Sequence, residues 1–526
     1  MKKNAIKRKG PIVLTVLDGW GEWPEKRGNA LAGAKLPTIE KFNSYYPKLL
    51  LQASGLSVGL PWGVCGNSEV GHQTMGTGRI FYQDLPMISM AIENGSFFKN
   101  EILQKNLNLI QQQSSAVHVL GLLSDGAVHS DIDHLFALID VLKKKKMKKV
   151  FFHLITDGRD VPAKSAEKYL EMLEKKIEGD EAFSIVSMMG RYYAMDRNKN
   201  WDRTEKAYRA MAFGEGIKES SPQKAIENQY KKGITDEFFE PTVFVDENGS
   251  YSAILKPDDL VIFFNYRSDR AKQITKVFTA SDDGQVKVER PKIRMVTFTR
   301  YEDGLPVEVI FDAKKSDLCL SKIFAEHRMK QLRIAETEKH AHVTYFFNGG
   351  SEKVYEGEDR ILVPSKKVKS YDQLPEMSAE EVTDKLLLAI ASGKYDFLLV
   401  NYANPDMVGH TGNYSAAVKA VEFVDKQLER LTKEVFKANG TLLVTADHGN
   451  VEEMVNLRTG EKDTEHSSNP VPFWLIKNNN QSVEIHDYSE MTEARGMIAD
   501  IAPTILGILG IEKPKEMTGE SLLELM

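Results

Sequence analysis

The sequence predicts an α/β fold, and two patterns along its 526 residues support that prediction. Short runs rich in Val, Ile, Leu and Phe recur along the chain, and amphipathic stretches such as residues 415–436 lie between them. Continuous apolar runs are typical of strands buried on both faces of a parallel sheet, which helices then cover. Each run also ends abruptly in a polar cluster rich in Asp, His and Arg.

Seven apolar runs are predicted to be strands, each with a polar cluster at its carboxyl end. In order they are PIVLTVLDGWG (11–21), AVHVLGLLSDGAVHS (116–130), KVFFHLITDGRD (149–160), FSIVSMMGRYYAMDR (183–197), DLVIFFNYRSDR (259–270), YDFLLVNYANPDMVGH (395–410) and GTLLVTADHGN (440–450). Ligands of open α/β sheets bind beyond the carboxyl ends of the strands. Polar residues also follow strands simply because chains must turn, but seven such clusters together favour a functional site.

Length, charge and cysteine content restrict the class of protein. A chain of this length is expected to form two domains rather than one core. The formal net charge of −6 argues against general nucleic-acid binding, which needs a basic surface. Only two cysteines are present, Cys65 and Cys319, so we expect no disulfide framework and a reducing, cytoplasmic location. The apolar run 501–511 is too short to span a bilayer, so no membrane partner is expected.

Carboxylate and imidazole side chains at four places could hold divalent metal ions. They are Asp18 in LDGWG, Asp406 and His410 in NPDMVGH, Asp447 and His448 in TADHGN, and His466 in TEHSSNPVPF. Taken singly, an Asp-x-x-x-His pair is more often a surface interaction, and an Asp at a strand end is often a helix cap. Together they approach the six or seven ligands that two ions need, and oxygen and nitrogen ligands without thiolate favour manganese or zinc.

The segment GVCGNSEVGHQTMGTGR (63–79) places Ser68 among five glycines. Gly66 and Gly71 would permit a tight turn and a close approach of the backbone to an anion. The segment lacks both the phosphate-loop pattern GxxxxGKS and the nucleophile-elbow pattern GxSxG. A phosphate cradle, a turn presenting a nucleophile and a plain connection therefore all remain open from these residues alone.

The middle of the chain contributes cationic side chains instead of metal-ligand sets. The candidates at its strand ends are His129, Arg159, Asp160, Arg191, Arg197, Arg267 and Arg270. Most arginines form surface salt bridges, but five beside strand ends favour a small substrate that carries phosphate and carboxylate groups. Asp160 among them could act as a general acid or base. Lys339, in ETEKHAHVTYFFNGG, is either a surface lysine or a group that neutralises a transferring phosphoryl group.

Eight motifs in one order along nearly the whole chain resemble the cofactor-independent (2,3-bisphosphoglycerate-independent) phosphoglycerate mutases of the alkaline phosphatase superfamily. The motifs are LDGWG, GNSEVGH, TDGRD, GRYYAMDR, NYRSDR, EKHAHVTYFFNGG, NPDMVGHTG and TADHGN. The resemblance implies a discontinuous, alkaline-phosphatase-like catalytic domain from residues 1–82 and 314–526. It also implies an inserted α/β substrate-binding domain from residues 83–313.

The resemblance also implies a set of site residues. One Mn²⁺ would be held by Asp406, His410 and His466, and a second by Asp18, Ser68, Asp447 and His448, with Zn²⁺, Co²⁺ or another divalent ion as alternatives. The substrate-binding residues would be His129, Arg159, Asp160, Arg191, Arg197, Arg267, Arg270 and Lys339. Ser68, Asp160 and Lys339 would be catalytic.

The implied reaction interconverts 3-phosphoglycerate and 2-phosphoglycerate in glycolysis and gluconeogenesis. Ser68 would take the phosphoryl group as phosphoserine and return it to the other oxygen of the retained glycerate, without 2,3-bisphosphoglycerate. The resemblance further implies a monomer that acts on this small substrate.

Two other functions remain open from the sequence. A metal-dependent phosphomonoesterase or phosphodiesterase of the same superfamily would keep the metal ions and release phosphate to water. A non-catalytic α/β metal-binding protein would use its ions only structurally. The arginine-rich insertion favours the mutase, since a mutase must exclude water while glycerate turns.

Overall fold

A computed structural model describes residues 10–312, 317–478 and 493–526. The strands in chain order are β1 (Ile12–Leu17), β2 (Lys48–Gln52), β3 (Val117–Leu122), β4 (Val150–Thr156), β5 (Phe183–Gly190), β6 (Ile217–Glu219), β7 (Thr242–Phe244), β8 (Leu260–Phe263), β9 (Arg294–Thr299), β10 (Glu308–Phe311), β11 (Gln331–Glu336), β12 (Glu358–Val363), β13 (Phe397–Tyr402), β14 (Thr441–Thr445), β15 (Val471–Lys477) and β16 (Gly496–Met497).

The α-helices lie between these strands. In chain order they are α1 (Pro37–Tyr45), α2 (Ser68–Thr77), α3 (Asp84–Glu93), α4 (Glu101–Gln113), α5 (Ile132–Lys144), α6 (Ala166–Ile177), α7 (Arg191–Ala194), α8 (Trp201–Phe213), α9 (Pro222–Lys231), α10 (Lys272–Phe278), α11 (Leu320–Glu326), α12 (Thr337–Ala341), α13 (Ala379–Ala391), α14 (Asn404–Gly409), α15 (Tyr414–Lys437) and α16 (Ile501–Leu509). A π-helical turn, His342–Phe346, continues directly from α12.

The chain folds as two compact units. Unit 1 comprises Met1–Gln83 and Lys315–Met526, and unit 2 is Asp84–Lys314. The domain boundaries expected from the sequence lie at residues 82/83 and 313/314. The second of these boundaries lies outside the described residues.

Unit 1 is built on a mixed sheet with the strand order β12-β11-β13-β1-β14-β15-β2-β16. The central strands β13, β1 and β14 are parallel neighbours, with Leu17 opposite Tyr402 and Val16 opposite Thr445. Strand β15 runs antiparallel to both β14 and β2. The carboxyl ends of the three central strands therefore lie side by side at one edge of the sheet.

Unit 2 has a second mixed sheet with the order β10-β9-β8-β3-β4-β5-β7-β6. Strands β8, β3, β4 and β5 are consecutive and parallel, whereas β7 runs antiparallel to β5. Both faces of β3 are covered, because Val119 belongs to one apolar cluster while Leu120 and Leu122 belong to another. Burial on both faces explains why apolar residues predominate in this strand.

The predicted α/β class is confirmed, and each of the seven apolar runs contains a strand. The predicted helix at 415–436 lies within α15. The sequence did not predict strands such as β11, whose apolar run is interrupted by charge. Arg333 in the middle of β11 is fully buried, where it donates to Ser321 and Gln331. Strands were predicted from continuous apolar runs, and a strand that buries a hydrogen-bonded guanidinium has no such run.

The apolar run 501–511 contains α16, a helix of nine residues. Within the described ranges, no helix combines the length and the apolar character that crossing a membrane would need. Both cysteines are free thiols, with Cys319 buried and Cys65 half-buried.

Candidate functional site

Ser68 is the first residue of helix α2. The Asn67 side chain caps this helix by accepting the backbone N–H groups of Glu69 and Val70, each at 3.1 Å. From the sequence, a phosphate cradle, a turn presenting a nucleophile and a plain connection were all open for this segment. The structure begins a helix at Ser68, because Asn67 satisfies N–H groups that the first helical turn leaves free. The positive end of the helix dipole at Ser68 favours an anion there.

The glycines around Ser68 serve a purpose different from the one the sequence suggested. Neither Gly66 nor Gly71 has a positive φ, so no left-handed turn is needed at either position. A Cβ at Gly66 would lie 2.1 Å from the Ala53 carbonyl oxygen, and a Cβ at Gly71 would lie 2.8 Å from the Asp447 Cβ. These glycines therefore bring α2 close to neighbouring chain segments, including the loop after β14.

The central strands of unit 1 carry the predicted metal ligands to one place. Asp18 directly follows β1, and Asp447 lies two residues beyond the end of β14. Asp406 lies in α14, which begins two residues after β13. Since these strands are parallel neighbours, three carboxylates from distant parts of the sequence meet at the same sheet edge, and all three are buried.

The Ser68 hydroxyl is surrounded by polar groups. Its Oγ donates to Asp18 Oδ1 at 3.1 Å and lies 3.0 Å from His448 Nε2. Lys339 Nζ donates to Ser68 Oγ at 2.8 Å and to carboxylate oxygens of Asp18 and Asp406 at 2.7 Å each. Lys339 is only 4% exposed, which rules out the surface-lysine alternative.

Lys339 is a cation in this setting. Burial alone would lower its pKa, but the carboxylates of Asp18, Asp406 and Asp447 raise the pKa well above the usual range for lysine. The ammonium group therefore stays charged at neutral pH and offers a fixed positive charge beside the serine hydroxyl.

Two histidines turn their ring Nε2 atoms towards one carboxylate. His410 Nδ1 lies 2.7 Å from the Thr464 carbonyl oxygen, and His466 Nδ1 lies 2.8 Å from that of Gly66. Each Nδ1–H therefore donates to a carbonyl oxygen. The two Nε2 atoms are 3.1 Å apart and lie 3.2 and 3.3 Å from Asp406 Oδ1, and the hydrogen bond to Asp406 raises the pKa of His410. Such a convergence of nitrogen and oxygen ligand atoms fits a bound cation.

A second group of ligand atoms surrounds Ser68. His448 Nδ1 lies 3.2 Å from the Gly449 carbonyl oxygen, which leaves its Nε2 facing the site. That Nε2 is 3.4 Å from Asp18 Oδ1 and 3.8 Å from Asp447 Oδ2. Asp447 Oδ2 is buried, and its contacts among the described residues are with histidine nitrogens. A buried carboxylate oxygen of this kind also fits a cation.

Two of the carboxylates are ionised. Burial alone would raise the pKa of Asp406 and of Asp447, but neighbouring positive groups lower both pKa values far below the usual range. Lys339 and His448 act on both of them. His72 adds a further contact, with its Nδ1 3.2 Å from Asp447 Oδ2. Anionic oxygens and imidazole nitrogens together form a ligand set suited to divalent ions.

The ligand atoms fall into two overlapping groups. Within Asp406, His448 and His466, and again within Asp18, Asp447 and His448, they lie inside 4.8 Å of one another. His448 belongs to both groups, so it joins them into one centre. His410 reaches the first group through the contacts described above. The structure thus brings together all the residues that the sequence assigned to metal ions.

The predicted substrate residues of unit 2 lie at the carboxyl ends of four consecutive parallel strands. Arg191 is buried, and its Nη1 lies 2.6 Å from Asp157 Oδ1 and 2.6 Å from Asp160 Oδ2. The sequence analysis did not single out Asp157, although it lies in the motif TDGRD. Asp157 also accepts from the Ser124 hydroxyl at 2.7 Å, so it fixes Arg191 in the strand-end cluster.

Asp269 organises a second group of these residues, and the sequence analysis missed it as well. Its carboxylate lies 2.7 Å from Arg197 Nη1 and 3.1 Å from Arg267 Nε. Its Oδ1 is 3.7 Å from His129 Nδ1. Burial, followed by the Arg191 guanidinium, lowers the pKa of His129 to about 4, so this ring is neutral at neutral pH. The sequence did offer a signal for Asp269, since this residue lies between two predicted arginines in the motif NYRSDR.

Several guanidinium groups lie near one another in this part of unit 2. Burial lowers the pKa of Arg270, and neighbouring guanidinium groups lower it further. Those groups belong to Arg191, Arg197 and Arg159. Arg159 itself is half-exposed and lies 3.5 Å from Glu237. Guanidinium groups clustered closely enough to lower the pKa of Arg270 favour a small anionic ligand.

Two family models match the chain. Residues 88–303 match the model described as the N-terminus of BPG-independent PGAM. Residues 255–490 match the model described as type I phosphodiesterase / nucleotide pyrophosphatase.

Relatives match nearly the whole chain. The chain is 49% identical to a 2,3-bisphosphoglycerate-independent phosphoglycerate mutase of Clostridium novyi, over 98% of this chain and 100% of that protein. It is 46% identical to the protein of the same name from Moorella thermoacetica, over 99% of each. A crystal structure of Leishmania mexicana phosphoglycerate mutase at low cobalt concentration covers 98% of both chains with 29% identity and a TM-score of 0.50.

Proposed function

The chain belongs to the family of 2,3-bisphosphoglycerate-independent phosphoglycerate mutases, and from that premise we propose how its residues interconvert 3-phosphoglycerate and 2-phosphoglycerate. The proposal rests on the polar groups that surround Ser68 Oγ. Within 3.1 Å of it lie a carboxylate, an imidazole and an ammonium group. Such groups activate a hydroxyl as a nucleophile and stabilise the charge of an incoming phosphoryl group.

Ser68 is the proposed nucleophile. Its Oγ, after losing the hydroxyl proton, forms a bond to phosphorus while the bond from phosphorus to the glycerate oxygen breaks and that oxygen takes up a proton, which gives phosphoserine and glycerate. Lys339, held 2.8 Å from Oγ, neutralises negative charge on the transferring group. The position of Ser68 at the start of α2 adds the helix dipole to this stabilisation.

The second half of the reaction returns the phosphoryl group to the other hydroxyl oxygen of the same glycerate. Asp160 is proposed to carry the proton between the two glycerate oxygens, since one hydroxyl loses a proton and the other gains one. The phosphoryl group comes from the substrate itself, so no 2,3-bisphosphoglycerate is needed. The remaining substrate-binding residues are proposed to be His129, Arg159, Arg191, Arg197, Arg267, Arg270 and Lys339.

Two Mn²⁺ ions are proposed for the metal centre, with Zn²⁺ or Co²⁺ as possible replacements. Asp406, His410 and His466 would hold one ion. Asp18, Ser68, Asp447 and His448 would hold the other. Bound divalent ions would lower the pKa of the serine hydroxyl and neutralise phosphoryl oxygens. The ionised carboxylates and the inward-facing Nε2 atoms support this assignment.

The chain is further proposed to be a cytoplasmic monomer that binds its small-molecule substrate and neither nucleic acid nor membrane. The net charge of −6 and the two free cysteines support these proposals. Unit 2, with its cluster of arginines, is proposed as the substrate-binding domain and unit 1 as the catalytic domain.

An assay coupled to enolase tests the function. With 3-phosphoglycerate as substrate and no added 2,3-bisphosphoglycerate, we expect 2-phosphoglycerate and little inorganic phosphate. A phosphatase of the same superfamily would release inorganic phosphate without 2-phosphoglycerate, and that result would refute the proposed mechanism.

A further inference from the structure

Glu452 is a fully buried carboxylate in the loop that follows β14. Its Oε2 accepts the backbone N–H groups of Gly21 and Asn450, each at 2.9 Å. Its Oε1 accepts from the Ser467 hydroxyl and, at 3.1 Å, from Asn469 Nδ2. Both oxygens of one buried side chain are therefore occupied by hydrogen-bond donors.

Each of these donors belongs to a segment that carries proposed metal ligands. Gly21 lies in LDGWG, three residues after Asp18, and Asn450 lies in TADHGN, two residues after His448. Ser467 directly follows His466. One carboxylate thus joins three ligand-bearing segments, one after β1 and two within the connection from β14 to β15, although it lies in neither group of ligand atoms.

A fourth ligand is reached through Asn450. The side-chain Nδ2 of Asn450 donates to Asp406 Oδ1 at 2.9 Å, while its backbone N–H is held by Glu452. Asp406 Oδ1 is the same oxygen that faces His410 and His466. The hydrogen bonds of Glu452 consequently extend to both proposed ion positions.

Two glycines leave room for this carboxylate. A Cβ added at Gly21 or at Gly449 would lie 2.3 Å from Glu452 Oε1. Neither glycine has a positive φ, so space and not backbone conformation requires glycine at these positions. Gly21 of LDGWG and Gly449 of TADHGN, to which the sequence alone gave no role, are explained by the buried carboxylate.

Both side-chain oxygens of Glu452 must act as hydrogen-bond acceptors, because each of them faces two donors. Among the described residues, Glu452 has no ion pair, so hydrogen bonds alone offset the cost of burying its charge. A glutamine of the same shape would turn an NH₂ group towards two of the four donors. Those donors would lose their acceptor, and the loops that they belong to would separate.

We propose that Glu452 is a positioning residue of the metal centre, which holds the three ligand-bearing segments in place and so sets the affinity for divalent ions. The inference rests on the metal centre of the proposed function. Groups that orient metal ligands typically change metal affinity 10- to 100-fold when they are removed.

The test is calorimetric titration of the metal-free full chain with Mn²⁺ alone, for the wild type and for Glu452→Gln. We expect the variant to bind Mn²⁺ about 10- to 100-fold more weakly. The matched control is Asp425→Asn, which makes the same chemical change at a buried carboxylate that accepts the Thr38 and Ile39 N–H groups away from the metal centre. The control loses stability but keeps the wild-type affinity for Mn²⁺.

A second variant, Gly21→Ala, disturbs the same hydrogen bonds without changing Glu452 itself, because the added Cβ would displace Glu452 Oε1. It too is expected to weaken Mn²⁺ binding, and the double variant Gly21→Ala/Glu452→Gln should lose less than the sum of the two. Wild-type affinity in Glu452→Gln, or equal losses in Glu452→Gln and Asp425→Asn, would overturn the inference while leaving the metal centre in place. A wild-type chain that binds no Mn²⁺ would overturn both.

Discussion

Lys339 Nζ lies 2.8 Å from Ser68 Oγ, and both side chains are buried although 271 residues separate them. The same ammonium group contacts Asp18 and Asp406, each at 2.7 Å. It therefore joins the proposed nucleophile to carboxylates of both proposed ion positions. This arrangement gives Lys339 a role in charge stabilisation that a surface lysine could not have.

Replacement of Lys339 by methionine should separate catalysis from metal binding. Methionine keeps most of the buried volume but removes the charge next to Ser68 Oγ. We expect kcat to fall by about 100- to 1,000-fold, the usual loss when one group that stabilises transition-state charge is removed. Mn²⁺ affinity measured by calorimetry should not fall, since Asp18 and Asp406 lose a competing cation. Lys322→Met, at a half-buried lysine that pairs with Asp317, is the control and should retain activity.

Replacement of Ser68 by alanine should abolish turnover. The variant lacks the oxygen that bonds to phosphorus, while Asp406, His410 and His466 still offer their ligand atoms to a metal ion. Mass spectrometry of the wild type mixed with substrate should detect phosphate on Ser68, and the variant should show none. Ser44→Ala, at an exposed serine of α1, should behave as the wild type. Substantial activity in Ser68→Ala would show that another group receives the phosphoryl group.

Removal of divalent ions should abolish activity reversibly. The carboxylates of Asp406 and Asp447 are ionised and face imidazole nitrogens, so the site is suited to binding divalent cations. EDTA should remove such cations from the protein. We expect no activity after EDTA treatment and gel filtration, and recovery on adding Mn²⁺. Metal analysis of the purified chain should find about two ions per chain if both ligand groups are filled. Full activity in metal-free protein would contradict a catalytic metal centre.

Local sequence patterns predicted seven of the described strands and the ligands at their ends, because an apolar run followed by Asp or His is visible without information from distant residues. Asp18 and Asp447 are of this kind. The start of α2 at Ser68 was also within reach of the sequence, since Asn67 is a typical helix cap. It was missed because the glycines of the segment suggested a turn.

Contacts between distant segments could not be predicted in the same way. The burial of Lys339 depends on carboxylates that follow β1 and β13, and the role of Glu452 depends on loops hundreds of residues apart. Asn401 is a further example: its Nδ2 donates to Asp18 Oδ2 at 2.6 Å and lies 3.1 Å from His72 Nε2. The spacing of residues along the sequence does not predict such contacts, because they depend on the order of the strands in the sheet.

His134 in α5 should make the stability of the protein depend on pH. The ring is buried, its Nε2 lies 2.9 Å from Ser89 Oγ, and its Nδ1 has no hydrogen-bond partner among the described residues. Burial lowers the pKa of His134 from 6.5 to about 4. The unfolded chain therefore takes up a proton at this residue as the pH falls below 6.5, whereas the folded chain does so only near 4.

Protons accordingly favour the unfolded state between those pH values, and stability should fall as the pH decreases through this window. A shift of this size corresponds to a loss on the order of 3 kcal/mol at the acidic end. Urea unfolding of the full chain at about pH 7 and about pH 5 measures it, and the difference between the two should be smaller in His134→Gln, which has no titrating ring. Ser89→Ala is the matched control, because it removes the hydrogen bond but keeps the imidazole. It should be less stable than the wild type at both pH values while retaining the same dependence on pH, and an equally steep dependence in His134→Gln would show that other groups cause it.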